Sequence, residues 1–445
     1  MKKSLLVFGL AALLSGMNAA AARIETAADE DHECTSWLVM PDLTGGKKLL
    51  LHKNRDSKAR NICLRWGTGT EGREWIAVAD YKAGVNMGLN SKGVAVVMNS
   101  GDPCDGVSDY KGHTTPVIAQ IIVAQCSTAA EGVKCVEKIF REKKYSHGKY
   151  GSIWFISDIK ESYVIEQDAL RFAVHPVKSG FAIRANAWHY PEMVMYSQRT
   201  PEVLIKHYRR EAAVRQCLFG NGTRYKEPVT VEKIAEASRI NVFPEDPKCY
   251  PLCGNRTNSA ATIELDAEYP ELLSCIYGVF GPPRYSAYLP VPLLVDRTKI
   301  PAELAKVTFS AAVFARWEKQ FDLLPQDKLA AFEAGLNKRH AEAVEAARKK
   351  LKAGGTKADA AKILTDAFLQ NWEALWKLSQ ERDAEMKKNP PAPKAAEPAA
   401  KPAEPAAKKA PEAAAKQAEC AAKSGECTAP KVAEPAPKTA DKKVK

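Results

Sequence analysis

The sequence predicts an α+β sandwich built mainly from antiparallel sheets, and three observations lead there. Strand-like runs come in pairs joined by turn residues. A pair of helical patterns, at 115–126 and 129–142, separates the early strand pairs from the later ones. No strand–helix alternation of the doubly wound kind runs through the chain, and no GxGxxG or Walker-type loop occurs, so nucleotide binding has no support.

The chain begins with Lys2 and Lys3, an apolar run Leu5–Leu14 and small residues Ala19–Ala22, which read as a signal peptide over 1–22. The apolar run is shorter than the ~20 residues a membrane span needs, and no later stretch is long and apolar enough to span. Residues 23–33, RIETAADEDHE, are acidic and without apolar period; they read as a short propeptide or, more plainly, an unstructured arm. A periplasmic or secreted location follows as the expectation.

Residues 34–300 hold one large domain. Its first strand is expected at Ser36–Met40, followed by a turn at Asp42–Gly46 and a second strand at Lys48–Lys53. GLNSKGVAVVMNSG, residues 88–101, reads as two strands around a turn. After the helix pair, strands are expected at Ser152–Ser157, Ser162–Gln167, Phe181–Arg184, Ala261–Leu265 and Ser274–Val279. Residues 301–388 are helical and charged. One periodic segment runs from about Asp327 to Lys350. A second, Ala358–Met386, carries Ile363, Leu364, Phe368, Trp372, Leu375 and Trp376 at helical spacing, with Gly354 and Gly355 as the turn between. That stripe reads as the packing surface of a docked helical hairpin, with partner binding as the alternative. Residues 389–445 are nearly all Ala, Pro, Lys and Glu without an aromatic residue, so they cannot bury enough apolar surface to offset ordering entropy. A disordered tail is expected.

The formal charge of +12 does not point to nucleic acid. Eleven Lys against seven Asp and Glu in 391–445 supply +4, and the remainder is spread without a dense basic cluster. A solvated surface is the expectation, with weak affinity of the tail for an anionic envelope; a homo-oligomer is compatible with the sequence. The chain has eleven cysteines; with Cys34 set aside, ten remain, a number able to pair fully in an oxidising compartment.

Cys34 heads the run Cys34-Thr35-Ser36-Trp37. Removal of 23–33 would make it the first residue, carrying a thiol nucleophile and, nearby, an α-amine whose pKa of roughly 7.7–8.0 suits it as a base. A nucleophile of this kind needs a group to hold the amine, donors for the tetrahedral oxyanion and a substrate anchor. Lys53-Asn54-Arg55-Asp56 ends the second strand, and strand pairing brings that end near the thiol. Asp56 is suited to orient the amine, and Lys53 or Arg55 to add positive charge favouring thiolate; an ordinary polar strand end is the plain alternative. Asn99 ends a valine-rich strand and Asn186 follows FAIRA. An asparagine amide is a neutral donor fit for an oxyanion, and equally a turn residue or strand cap. Arg256, in GNRTNSA, is able to bind a carboxylate or to be merely solvated. The histidines form no metal-ligand pattern, since His32 leaves with the propeptide and the others are scattered.

With these residues on the page, the domain resembles the N-terminal-nucleophile amidohydrolases that use cysteine, the linear amide C–N hydrolases. Their branches include acyl-CoA:6-aminopenicillanate acyltransferase-like, choloylglycine hydrolase-like and secernin-like dipeptidase proteins. The resemblance covers about residues 34–295. It rests on the order and spacing of the CTS start, KNRD, GLNSKGVAVVMNS, GSIWFISDIKESYVIE, ANAW, RTNSAATIEL and GPPRYSAYLPVP. It implies a four-layer αββα sandwich, the nucleophile at Cys34, the amine-orienting carboxylate at Asp56, the oxyanion-hole asparagine at Asn186, a second active-site asparagine at Asn99 and a late arginine at Arg256. It also implies autoprocessing at Glu33–Cys34, a small-molecule amide or short-peptide substrate, and no metal or organic cofactor. Lys53 departs from the arginine of several branches; lysine keeps the charge and loses the bidentate fork, which weakens any expected carboxylate clamp there. The contrasting expectation is a non-catalytic envelope protein that keeps the fold and binds through its helices and tail.

Overall fold

The computed structural model describes residues 34–81, 83–103, 111–146, 150–220, 227–241 and 251–390. The segments expected as signal and propeptide, 1–33, and residues 391–445 of the expected tail lie outside these residues. Thirteen strands occur among them: β1 (Cys34–Val39), β2 (Lys48–Asp56), β3 (Ile62–Thr68), β4 (Glu74–Asp80), β5 (Gly84–Asn90), β6 (Ala95–Pro103), β7 (Tyr150–Ser157), β8 (Ser162–Gln167), β9 (Phe172–Pro176), β10 (Phe181–Arg184), β11 (Thr257–Asp266), β12 (Cys275–Val279) and β13 (Leu289–Pro292). The helices of eight or more residues are α1 (Thr115–Gln125), α2 (Ala129–Arg141), α3 (Pro201–Phe219), α4 (Val231–Ser238), α5 (Thr308–Glu318), α6 (Gln326–Lys352) and α7 (Lys357–Lys388). None is long and apolar enough to cross a membrane.

The strands form two antiparallel sheets. One has the order β10-β1-β2-β11-β12-β13; the other is a seven-stranded meander, β3 to β9 in sequence order. Alternation along each strand decides the layers, because successive side chains point to opposite faces. Leu38, Leu49, Leu51 and Ile263 of the first sheet meet Ile76, Val78, Met87, Leu89, Val97 and Phe155 of the second in one buried core. Their strand neighbours face outward. Trp37, Val39 and Leu50 pack under Val214 and Leu218 of α3 and Ile234 of α4. Ala77, Val96, Trp154 and Ile156 pack under Ile118 and Ile122 of α1 and Val136 and Ile139 of α2. The result is helices, sheet, sheet, helices: a four-layer αββα sandwich.

The C-terminal helices are joined to this body. Phe309 and Val313 of α5, Leu329 of α6 and Phe368, Trp372 and Leu375 of α7 belong to the same inter-sheet core. They contact β13 and β3, the edge strands of the two sheets on one side. Covering these edges removes two exposed pairing templates. Partly buried ion pairs reinforce the contact: Arg316 of α5 with Asp383 of α7 at 2.6 Å, Arg348 of α6 with Asp266 of β11 at 2.6 Å, and Arg239 after α4 with Glu333 of α6 at 2.5 Å. The turn between α6 and α7 runs through Gly354, whose φ of 83° lies in the left-handed region that favours glycine.

Two expectations change. β2 runs three residues beyond Lys53, so Asn54, Arg55 and Asp56 lie within the strand; Asn54 and Arg55 pair with both β1 and β11, and Asp56 pairs with β11. Of the ten cysteines expected to be able to pair, the six among the described residues, Cys63, Cys126, Cys135, Cys217, Cys253 and Cys275, are free thiols. Burial pushes Cys63 and Cys217 up to about 11 and Cys253 to about 12, so these thiols stay protonated at neutral pH. Cys104, Cys249, Cys420 and Cys427 lie outside the described residues.

Candidate active site

Strand parity sets the site. Cys34 and Ser36 share the inner face of β1 with Leu38; Lys53 shares that of β2 with Leu51; Asn99 shares that of β6 with Val97. At this end of the sandwich the inter-sheet layer thus changes from apolar to polar. It opens into a cavity of about 540 Å³ lined by Cys34, Lys53, Arg55, Asp56, Asn86, Ser100 and Tyr150 among others.

Cys34 begins β1 opposite Arg55 and is 5 % exposed. Its backbone N–H donates to Asn186 Oδ1 at 2.7 Å, and Asn186 Nδ2 in turn donates to the Ser100 carbonyl at 2.8 Å. Asn186 follows β10 in a bend that also carries Trp188. Gly101 and Gly151 make room for that indole: a Cβ at either position would meet ring carbons at 2.2 and 2.3 Å. Packing around Trp188 therefore fixes the bend that presents Asn186.

Lys53 is buried, and its Nζ donates to the Met98 carbonyl and, at 2.9 Å, to Asn99 Oδ1. Burial lowers its pKa, and the nearby Cys34 sulfur opposes that shift. A lysine amine beside the thiol is thus built into the interior. Both ends of Asn99 are in use. Oδ1 accepts from Ser36 Oγ at 2.7 Å as well as from Lys53, and Nδ2 donates to the carbonyls of Arg184 and Ala185 at 3.0 and 2.9 Å. Asn99 therefore ties β6, β1, β2 and the chain after β10 together, instead of offering its amide to a substrate.

Asp56 is also anchored. Its Oδ1 accepts from Thr257 Oγ1 at 2.6 Å and its Oδ2 from Arg210 Nη2 at 3.0 Å. Burial raises its pKa, with Arg210 and Thr257 pulling the other way. Arg210, wholly buried on α3, has no counterpart in the sequence expectations. It sits 154 residues from Asp56 in a helix without a motif, and only tertiary packing brings the pair together. Arg55 is held by both oxygens of Asp80, at 3.1 and 2.7 Å. Arg256 lies just ahead of β11, where its carbonyl accepts from Ser57 N–H; it is not on the cavity wall. Asn86, absent from the sequence expectations, is on that wall. Among the described residues no group of three or more His, Cys, Asp or Glu is arranged to hold a metal ion.

Hydrogen bonds join Cys34 to Asn186 and Lys53 to Asn99, and the cavity wall brings Cys34, Lys53 and Asp56 together, with Arg256 off that wall. The arrangement offers a thiol on a cavity wall, a buried lysine amine beside it and an acceptor fixing the nitrogen of the same residue. No protein-family model matches the chain, and no curated protein matches it in sequence. Among solved structures the chain is similar to penicillin V acylase from Agrobacterium tumefaciens, at 13 % identity and a TM-score of 0.36, over 60 % of this chain and 87 % of that one. It is also similar to a mutant conjugated bile acid hydrolase from Clostridium perfringens, at 12 % identity and a TM-score of 0.37, over 60 % of this chain and 93 % of that one. At such scores neither similarity carries a function across.

Proposed function

We propose that this chain is an exported amidohydrolase of the cysteine N-terminal-nucleophile type, cleaving linear C–N amide bonds through an acyl-enzyme on Cys34. The observation that carries the reading is the contact between the Cys34 backbone nitrogen and Asn186 Oδ1, at the start of a strand whose Cys34 lines the cavity. Once the Glu33–Cys34 bond is cut, that nitrogen becomes an α-amine with a ready-made acceptor, and its remaining lone pair is able to take the thiol proton.

In this mechanism the amine removes the Cys34 proton and the thiolate attacks the substrate carbonyl. The tetrahedral intermediate collapses, the leaving amine takes the proton back, and water or another acceptor releases the acyl group. Lys53 places its amine beside the sulfur. Asp56, locked by Arg210 and Thr257, holds the end of β2 that frames the amine. Asn186 acts as the acceptor that orients the amine, a role the resemblance gave to Asp56. The substrate class is a small amide: N-acyl amino acids, short peptides, β-lactam side chains and conjugated bile acids are the candidates to screen. Lys53 and Arg55 are both engaged by internal acceptors, so a substrate carboxylate clamped by either is disfavoured. The test is a panel of these amides offered to the secreted protein and to Cys34→Ala. Turnover of at least one amide by the wild type alone supports the reading; equal turnover by the two proteins sinks it.

A further inference from the structure

The donor that would meet the substrate oxygen is a residue no motif singled out. Asn86 is 1 % exposed, its Nδ2 has no hydrogen-bond partner among the described residues, and it lies on the wall of the Cys34 cavity. A β-bulge puts it there. In the β4–β5 ladder Val85 pairs with Ala79 and Met87 with Val78, which leaves Asn86 as the extra residue. Leu89 and Met87 belong to the inter-sheet core, and Val85 to the opposite core under α1. Unbroken alternation would turn Asn86 away from the face of Met87 and Leu89; at the bulge it lines the cavity. β5 neighbours β6 with Met87 opposite Val97, so Asn86 lies one strand, about 4.8 Å, from the stretch that carries Asn99.

Of the two asparagines expected to serve the oxyanion, Asn99 has no N–H left to give and Asn186 is already tied at both ends of its amide. Asn99 spends both N–H groups on backbone carbonyls; Asn186 spends its oxygen on Cys34 and one of its two N–H groups on Ser100. We propose that Asn86 Nδ2 donates the oxyanion hydrogen bond, an inference that rests on the reading of Cys34 as the nucleophile. As the Cys34 sulfur–carbon bond forms, the carbonyl π pair moves onto oxygen, and Asn86 Nδ2 stabilises that charge. On collapse the pair returns, the C–N bond breaks and the leaving nitrogen takes the proton held by the Cys34 amine.

Two reagents isolate this step on the mature full-length protein. p-Nitrophenyl acetate acylates Cys34 through a tetrahedral oxyanion; iodoacetamide alkylates it by displacement, with none. For Asn86→Leu, and for Asn86→Ala as a second variant, acylation is expected to slow by about 10²- to 10³-fold while alkylation stays within about threefold of wild type. The melting temperature is expected to hold or rise, since a buried donor without a partner has been removed. Unchanged acylation, a parallel fall in both reactions or failure of both variants to fold would overturn the assignment. A wild-type Cys34 inert to both reagents overturns the nucleophile reading itself; reactivity that vanishes in Cys34→Ala and is untouched in Asn86→Leu overturns the Asn86 role alone.

Discussion

The two ends of the inter-sheet layer are made of opposite materials. At the β13 and β3 edge, α5 and α7 complete the core with Phe309, Phe368, Trp372 and Leu375; the Trp372 and Trp376 rings stack at 5.5 Å and Phe309 meets Trp372 edge-on at 5.1 Å. At the Cys34 end, the same layer buries a lysine, a carboxylate and three asparagines around a cavity. Ion pairs at the first end join separate elements around an apolar centre. At the second end the polar groups are the centre, and one amide goes unmatched. Buried polar groups are tolerated in proportion to their partners, so an interior that is this polar and, among the described residues, incompletely satisfied is the place where the proposed chemistry is to be tested. The helical extension, by contrast, needs no partner to explain its aromatic stripe: the stripe is consumed by the fold.

Mutations that separate activity from stability sharpen this contrast. The largest effect is expected from Cys34→Ala. Amide turnover should fall by roughly 10⁴-fold or more with little change in thermal melting, since loss of the nucleophile removes the covalent route. Steady-state kinetics beside calorimetry checks it. Trp372→Ala should act the other way. Truncating a buried aromatic of this size costs about 3–5 kcal/mol, and the surviving folded fraction should keep wild-type rates; urea denaturation followed by active-site titration would separate the two. Arg210→Met probes the boundary. It strips the buried cation from Asp56, and breaking such a pair costs about 3 kcal/mol or more. Activity and stability should fall together, a result that a purely functional or purely structural Asp56 would not give.

The smallest effect concerns His340 of α6, where the extension meets the sheet. Burial, with Lys48 adding repulsion, holds its imidazole neutral down to about 3, against an ordinary value of 6.5. The unfolded chain therefore takes up this proton first as the solution is acidified. Stability present above pH 6.5 is lost as the pH falls toward 3, by about 2 kcal/mol at pH 5 from this residue. His340→Asn should flatten that limb of the stability–pH curve, as measured by denaturation at pH 7 and pH 5. An unaltered limb would mean that His340 is wetter than its burial implies.

Much of the scaffold was legible in residue order. The helix pair appears at Thr115–Gln125 and Ala129–Arg141, within a residue of the pattern at its C-terminal ends, because its apolar period and the small, polar junction at Ser127–Thr128 are local signals. β3, β4, β9 and β13 were not expected. β3 and β4 are joined across Gly67–Arg73, and their identity as strands comes from the sheet they enter rather than from a clean alternation. α3 also went unread. Arg210 and Glu211 are buried beside Val214 on its inner side, so its buried face is not an apolar stripe. At the site, the residue types at Cys34, Lys53, Asp56, Asn99 and Asn186 were readable as candidates, whereas their hydrogen-bond directions were not. Whether an asparagine presents its oxygen or its nitrogen is decided by strands 63 to 152 residues away. Asn86 had no signal at all, since a bulge is visible only in the register of a paired strand.

The central claim is that the Cys34 nitrogen, held by Asn186, works as a free amine. Intact-mass and N-terminal analysis of the exported protein, wild type beside Cys34→Ala, tests it most directly. The account predicts a wild-type chain that begins at Cys34 with a thiol open to alkylation, and a Cys34→Ala chain that still carries residues 23–33. A wild-type chain that begins near Arg23, its Cys34 buried and unreactive, would contradict it.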